Sequence, residues 1–334
     1  MKENQLSRYG AIAKMIPFTM GKVFFVGHSD DAWSAELLNE FPVDRDGVPR
    51  VYLTVSGAAT DNLAIQAALD ACVAGRNDYV IVLPSVNDYD ISATLTMTKR
   101  SVHLIAPSGF GYDIGCNASV KMEQTLKATP HITMTAADSC EVAGFYFKDF
   151  YDGTNAGGGI ILVGAGSTGV MIHHNHFVLK PVNATNVTPL KGTSTGMGYG
   201  RIHRNWFEVQ ASGAYTTPAF IECAAGAVAV TIERNHCVAS MGQIFNAGIS
   251  SGGQFGTVMY NTIIAQQGNV SYGSSAATIT VGVQLLTGGS CSAVENRFCG
   301  CAANLAGGTA AKSYAGNKDS STGDAGGYET NLEA

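Results

Sequence analysis

The sequence predicts an all-β solenoid of parallel coils, and three observations carry that expectation. The segments VAGFYF (142–147), IHHNHF (172–177), IHRNWF (202–207) and IERNHC (232–237) recur every 30 residues, the mark of a structural repeat. VMYNTI (258–263) and AVENRF (293–298) continue the pattern at spacings of 26 and 35. The composition agrees: Gly is 40 of 334 residues and only 14 % are charged, although 46 % are hydrophobic. Stacked parallel strands need few charges, and their tight turns favour Gly. Finally, Tyr89 and Ile91, Leu95 and Met97, and Val102 and Leu104 alternate with the period of a strand.

The elements follow in order. Lys22 to Val26 is a compact apolar strand between Gly21 and Gly27. Ser29 to Glu40 reads as a helix capped by Ser29 or Asp30, with Trp33, Leu37 and Phe41 on one face. Asp44 to Gly47 is a turn, and Val51 to Val55 a second strand. Residues 1–56 thus form a small mixed module, an expected anchor. A helix capped by Thr60 or Asp61 then runs to Gly75, and a strand from Tyr79 to Leu83 stops at Pro84. Residues 57–311 are assigned to the solenoid. Residues 312–334 read as a Gly-rich extension after the last coil.

Within each repeat the residue types assign positions. Asn175, Asn205, Asn235, Asn261 and Asn296 occupy the fourth place and are expected to form an internal amide ladder, with strands about 4.8 Å apart. Phe147, Phe177, Phe207 and Phe298 stack inside, and Cys237 takes the equivalent place in its coil. The eight cysteines form no CxxC pair, so they read as small buried core residues rather than metal ligands.

The segment from Asp61 to Gly109, with its TDNLAIQAALDA helix, Pro-terminated strand and short strand pairs, resembles the opening of the pectate-lyase-like right-handed parallel β-helix superfamily. That resemblance implies a right-handed parallel β-helix with a capping helix, and leaves function open. GKVFFV, the helix after it and FPVDRDGVPRVYLT resemble virion proteins of tailed phages. This second resemblance implies a particle protein made in the host cytoplasm, a capsid decoration, cement or head spike.

Charge and chemistry narrow the function. A net charge of −6 with 20 Lys and Arg argues against nucleic acid, and no apolar run suits a membrane span. The N-terminal stretch, interrupted by Arg8 and Lys14, lacks the apolar run of a cleaved signal. Residues 153–311 hold only ten charged side chains, and no Asp lies between Asp152 and Asp319. The superfamily's lyases and polygalacturonases use clustered Asp, so the resemblance does not carry catalysis to the central coils. Glu208 and Glu233 fall too far apart within the repeat for a glycosidase pair, and Asp138, Glu141, Asp149 and Asp152 read as a solvated face.

One strip stands out. The second place holds His173, His203 and Glu233; the third His174, Arg204 and Arg234; the fifth His176, Trp206 and His236. The second-place residues are expected to point outward and to titrate near neutrality, so that contacts of the strip weaken below about pH 6. The strip is expected to meet a second copy, in a homotrimer, or a major capsid or other virion protein, with Trp206 as anchor. No catalytic residue, metal or cofactor is assigned. The competing expectation is a tailspike-type protein that binds or cleaves a host surface glycan.

Overall fold

In a computed structural model, the structure describes residues 21–56, 60–107, 120–124, 129–149, 159–179, 188–193, 195–210, 216–217, 219–224, 226–240, 244–252, 255–265, 278–285, 291–307 and 313–319. The described strands form three sheets, all paired in parallel. Each coil visits them in turn. Glu141–Ala143 lies in the first sheet, Phe145–Asp149 in the second and Ile161–Val163 in the third, and Met171–His173 then returns to the first. The chain is a right-handed parallel β-helix.

The turn from first to second sheet explains the repeat. Its residues Gly144, His174, Arg204, Arg234, Tyr260, Glu295 and Gly316 all adopt positive φ, between 51° and 86°. Gly144 has no alternative, because a Cβ there would meet the Ala106 carbonyl oxygen at 2.0 Å. The residue after each later turn is Asn. Asn175 Nδ2 donates to Asn205 Oδ1 at 3.1 Å, Asn205 Nδ2 to Asn235 Oδ1 at 3.0 Å, and Asn235 Nδ2 to Asn261 Oδ1 at 3.0 Å. The ladder continues through Asn296 to a sixth rung, Asn317. Each Oδ1 also accepts the backbone N–H of the preceding rung, so the amides replace the ladder bonds that a sharp corner interrupts.

A side chain other than Gly at positive φ costs roughly 1–2 kcal/mol, and Gly costs roughly 0.5–1 kcal/mol in chain entropy. Arg234, exposed at φ 52°, is a clean test. Arg234→Gly is expected to stabilise the protein by about 0.5–1 kcal/mol, read from the urea midpoint.

Inward positions stack in register. Val142, Ile172, Ile202, Ile232, Val258 and Ala293 align in the first sheet and are all fully buried. Phe147, Phe177 and Phe207 align in the second, with ring centroids 5.1 and 4.7 Å apart. Cys237 continues that column, and burial raises its thiol well above the ordinary range. Strands Ser313–Ala315 and Lys318–Asp319 extend the first and second sheets past the boundary expected at 311. The last rung stands 21 residues after Asn296, a spacing that hides it in the sequence.

The N-terminal elements join the first sheet directly. Strand β1 (Val23–Gly27) pairs with β2 (Val51–Leu53) on one side and with β3 (Asp78–Val82) on the other. Helix α1 (Ser34–Glu40), shorter than the Ser29–Glu40 expected, connects β1 to β2; helix α2 (Asn62–Ala71) connects β2 to β3. The helices lie on opposite faces. Leu37 of α1 packs with Val23, Phe25 and Ile81, while Ile65, Ala68 and Leu69 of α2 pack with Phe24, Val26 and Val80. Because the second set is continuous with the coil interior, α2 plugs the open end of the β-helix. Asp78, fully buried, accepts from the Lys22 and Val73 N–H groups, both at 2.7 Å, and from Arg76 Nε at 2.6 Å.

Candidate functional site

The residues of the strip divide between two sheets that meet at the Asn turn. His173, His203 and Glu233 are register neighbours in the first sheet; His176, Trp206 and His236 are register neighbours in the second. His174, Arg204 and Arg234 are the positive-φ residues at the corner between them. The His173 and His203 rings stack at 4.7 Å, 10° from parallel. On the second sheet, Tyr146 meets His176 at 4.8 Å and Trp206 lies 4.1 Å from His236.

The first-sheet side chains bond to one another along the coils. His103 Nε2 lies 2.7 Å from Asn77 Oδ1, and His103 Nδ1 lies 2.7 Å from Glu141 Oε2. Glu141 Oε1 lies 2.6 Å from His173 Nε2, and His173 Nδ1 lies 2.7 Å from His174 Nδ1. Five residues of four coils thereby form one chain of hydrogen bonds. Below it, Arg201 holds Glu233, whose residue is only 5 % exposed. Sequence reasoning missed Asn77, His103 and Arg201, and its reading of Glu141 as part of a solvated face is corrected: the carboxylate is held between His103 and His173. The usable signal was the place before each repeat, since Glu141 and Arg201 sit one residue ahead of the inward Val142 and Ile202.

Burial alone would raise the Glu141 carboxyl. The hydrogen bonds from His103 and His173, and their charge, more than offset it and hold the group at about 2. His203 moves the other way. Burial first, and then the repulsion its charged form would meet from His173, Arg201, His174 and Arg204, push it down to about 3. Burial lowers His236 as well. The expected titration of the column near neutrality is therefore corrected at His203, whose desolvated ring does not take up a proton at pH 6.

These directions set the acid response. Glu141, depressed in the folded state, contributes stability that is present above about pH 4.5 and lost as pH falls toward 2. Its shift corresponds to on the order of 3 kcal/mol. His203, also depressed, is neutral when folded while the unfolded ring protonates below about 6.5, so its loss runs from there down to about 3. Stability is expected to decline from pH 6.5 to 2. Glu141→Gln should flatten the part below pH 4.5, and His203→Gln the part above it, in urea titrations at each pH.

Carboxylates elsewhere on the coil faces also have partners. Glu123 Oε2 meets Lys148 Nζ at 3.0 Å, Glu222 lies 3.7 Å from Lys191 Nζ, and Asp138 accepts the Thr168 N–H at 2.9 Å. Glu208 lies 3.7 Å from His176 Nε2 and belongs to a different sheet from Glu233. Asp152 lies outside the described residues. Near the C-terminal end, Tyr260, Thr262, Glu295, Arg297 and Gly316 line an open depression of about 390 Å³ on the same corner.

Three parallel sheets, an inner aliphatic and Phe stack, an amide ladder and a capping helix define a right-handed parallel β-helix. No family model and no curated protein sequence matches the chain. Among solved structures, it is similar to the ORF18 protein of Geobacillus virus E2, at 10 % identity over 90 % of this chain and 74 % of that one, with a TM-score of 0.35. It is also similar to an alginate lyase from Paenibacillus sp. str. FPU-7, at 11 % identity over 78 % and 93 % of the two chains, with a TM-score of 0.31. The A-module of the Azotobacter vinelandii mannuronan C-5 epimerase AlgE6 covers 79 % of this chain with 96 % of its own, at 14 % identity and a TM-score of 0.25. These likenesses are of fold.

Proposed function

We propose that this protein is a structural component of a phage particle, a capsid decoration, cement or head-spike protein, whose β-helix works by contact rather than catalysis. The observation that carries the non-catalytic part is the bonding of the strip. Glu141 and Glu233 are held by His and Arg of the same face, coil to coil, and Glu141 is ionised and doubly bonded. A carboxylate held in that way is a poor proton donor or acceptor for a substrate. The particle assignment rests on the resemblance of GKVFFV and FPVDRDGVPRVYLT to tailed-phage virion proteins.

In this reading the second-sheet part of the strip meets a neighbouring subunit of a homotrimer or a major capsid protein. Trp206 is half-buried between His176 and His236, and its Nε1 has no hydrogen-bond partner among the described residues. Trp206→Ala is expected to weaken particle or self-association about 30-fold, a hot-spot loss of roughly 2 kcal/mol. Light scattering and a particle-binding assay measure it, and unchanged association would remove Trp206 from the contact.

The competing reading is a tailspike-type receptor-binding protein or depolymerase. The depression favours it, since Tyr260, Glu295 and Arg297 present an aromatic ring, a carboxylate and a guanidinium at an open surface. Purified protein incubated with host capsule, lipopolysaccharide and pectin is expected to release no reducing ends or unsaturated products. Turnover abolished by Glu295→Gln, Glu208→Gln or Glu233→Gln would replace the structural reading with the enzymatic one.

A further inference from the structure

The N-terminal elements have a topology that the β-helix does not require. Strands β2, β1 and β3 lie in that order, and the chain runs β1–α1–β2–α2–β3 with its two helices on opposite faces. This is a doubly wound parallel unit, with the reversal of winding between β1 and β3. In open parallel α/β sheets, the crevice outside the carboxyl ends of the strands at such a reversal is where ligands bind, because the loops there part to opposite faces. In this chain those loops are residues 28–33 after β1 and 83–88 after β3.

The loops at these strand ends carry acids. Asp30 and Asp61 each place an oxygen 3.7 Å from the His28 ring, on Nδ1 and Nε2 respectively. Asn87 Nδ2 from the β3 loop donates to Asp30 Oδ2 at 3.2 Å, and Val86 N–H reaches Asp31 Oδ1 at 3.5 Å, so both loops close on the same cluster. Ser29 N–H donates to Thr54 Oγ1 after β2 at 3.1 Å. Asp31 is 7 % exposed and Asp61 2 %. Within this cluster three buried acceptors, Ser29 Oγ, Asp31 Oδ2 and Asp61 Oδ1, have no hydrogen-bond partner among the described residues. Buried carboxylate oxygens without donors are costly.

The chemistry selects the ligand. Phosphate, the usual occupant of such a crevice, is repelled by three carboxylates. A metal ion requires ligands drawn in to about 2.0–2.6 Å, and no three His, Cys, Asp or Glu side chains among the described residues stand in such a group. An ammonium has three donors and bonds at about 2.9 Å, so it accepts a wider cage. We propose that the crevice at the ends of β1 and β3 binds a primary ammonium group, through Ser29, Asp31 and Asp61, from a small amine or a partner's lysine. This site is independent of the contact role assigned to the strip.

Thermal melting of the full chain at pH 7.5 tests it, with n-butylamine hydrochloride, Nα-acetyl-lysine methylamide or CaCl₂ added against NaCl of equal ionic strength. Wild type is expected to gain about 2 °C once the amine is well above its Kd. The gain should be absent in Asp31→Asn. Ser29→Ala, which removes an acceptor without touching a charge, should reduce it and serves where Asp31→Asn does not fold. A gain with both amines assigns the ammonium group itself, and a gain with the lysine derivative alone assigns a lysine side chain. A gain no larger than that from NaCl, or an equal gain in both variants, would overturn the site. A gain with CaCl₂ and none with either amine would overturn the ammonium in favour of a divalent ion.

Discussion

Replacing Asn205 with alanine is expected to destabilise the protein by about 4 kcal/mol. Asn205 is fully buried and occupies a central rung. Its Oδ1 accepts from Asn175 N and Nδ2, both at 3.1 Å, and its Nδ2 donates to Ile172 O at 2.9 Å and Asn235 Oδ1 at 3.0 Å. Alanine removes all four bonds and leaves the Asn175 backbone N–H without an acceptor inside the coil. Each buried polar group left unsatisfied costs roughly 1–3 kcal/mol, which outweighs the modest net value of the bonds themselves. Asn205→Asp tests the same point at constant shape. It keeps an acceptor for Asn175 but turns an oxygen toward Asn235 Oδ1, so it should also destabilise strongly. Asn317, the last described rung, accepts from Asn296 and donates only to Ala293 O among the described bonds. Asn317→Ala should therefore cost less than Asn205→Ala. Urea unfolding followed by circular dichroism gives the comparison, with m-values checked for loss of cooperativity in a repeat array. A loss under 1 kcal/mol for Asn205→Ala would mean that the corner is held by strand pairing alone.

Phe177→Ala should cost 3–5 kcal/mol, the range for emptying a buried aromatic site. Phe177 has no exposed surface and lies between Phe147, 5.1 Å away at 17°, and Phe207, 4.7 Å away at 4°. Removing the middle ring opens a cavity and breaks two stacked pairs, each worth about 0.5–1.5 kcal/mol beyond area burial. The coils on either side are fixed by strand pairing and by Asn175 and Asn205, so they cannot collapse into the space. Phe177→Leu, which refills most of it, should recover more than half of the loss. The column itself shows what tolerates a smaller residue. At Cys237 the ring is absent, and Phe220 from the third-sheet side approaches Phe207 to 6.3 Å. Equal costs for Phe177→Ala and Phe177→Leu, from denaturant midpoints, would contradict this account.

Much of the β-helix was legible because each coil repeats one local demand. A corner with a positive-φ residue, an amide beside it and an inward Phe two places later leave the same letters every 30 residues, as Asn175, Asn205 and Asn235 do. The capping helix was legible from its apolar face, but Asp61 makes no side-chain cap hydrogen bond and the helix ends at Ala71, short of the Gly75 expected. Asn317 was not, since its turn residue is Gly316 and its spacing breaks the period. The partnerships of the strip were not legible either. His173 faces Glu141, two strand positions away from the Ala143 opposite it in register, and only the twist and spacing of the assembled sheet choose that diagonal.

The order of the residues thus determined the period, the turn chemistry and the inward positions of this protein, because each is written again in every repeat. Tertiary structure alone decided which side of the N-terminal sheet each helix covers, that β1 and β2 extend the first sheet, and that the groups near His28 and Glu141 gather as they do. Those outcomes depend on contacts between residues tens of positions apart, such as His28 with Asp61 and His103 with Glu141. Their distances are set by strand register and by the burial that changes their charge, and neither is written in any local run of sequence.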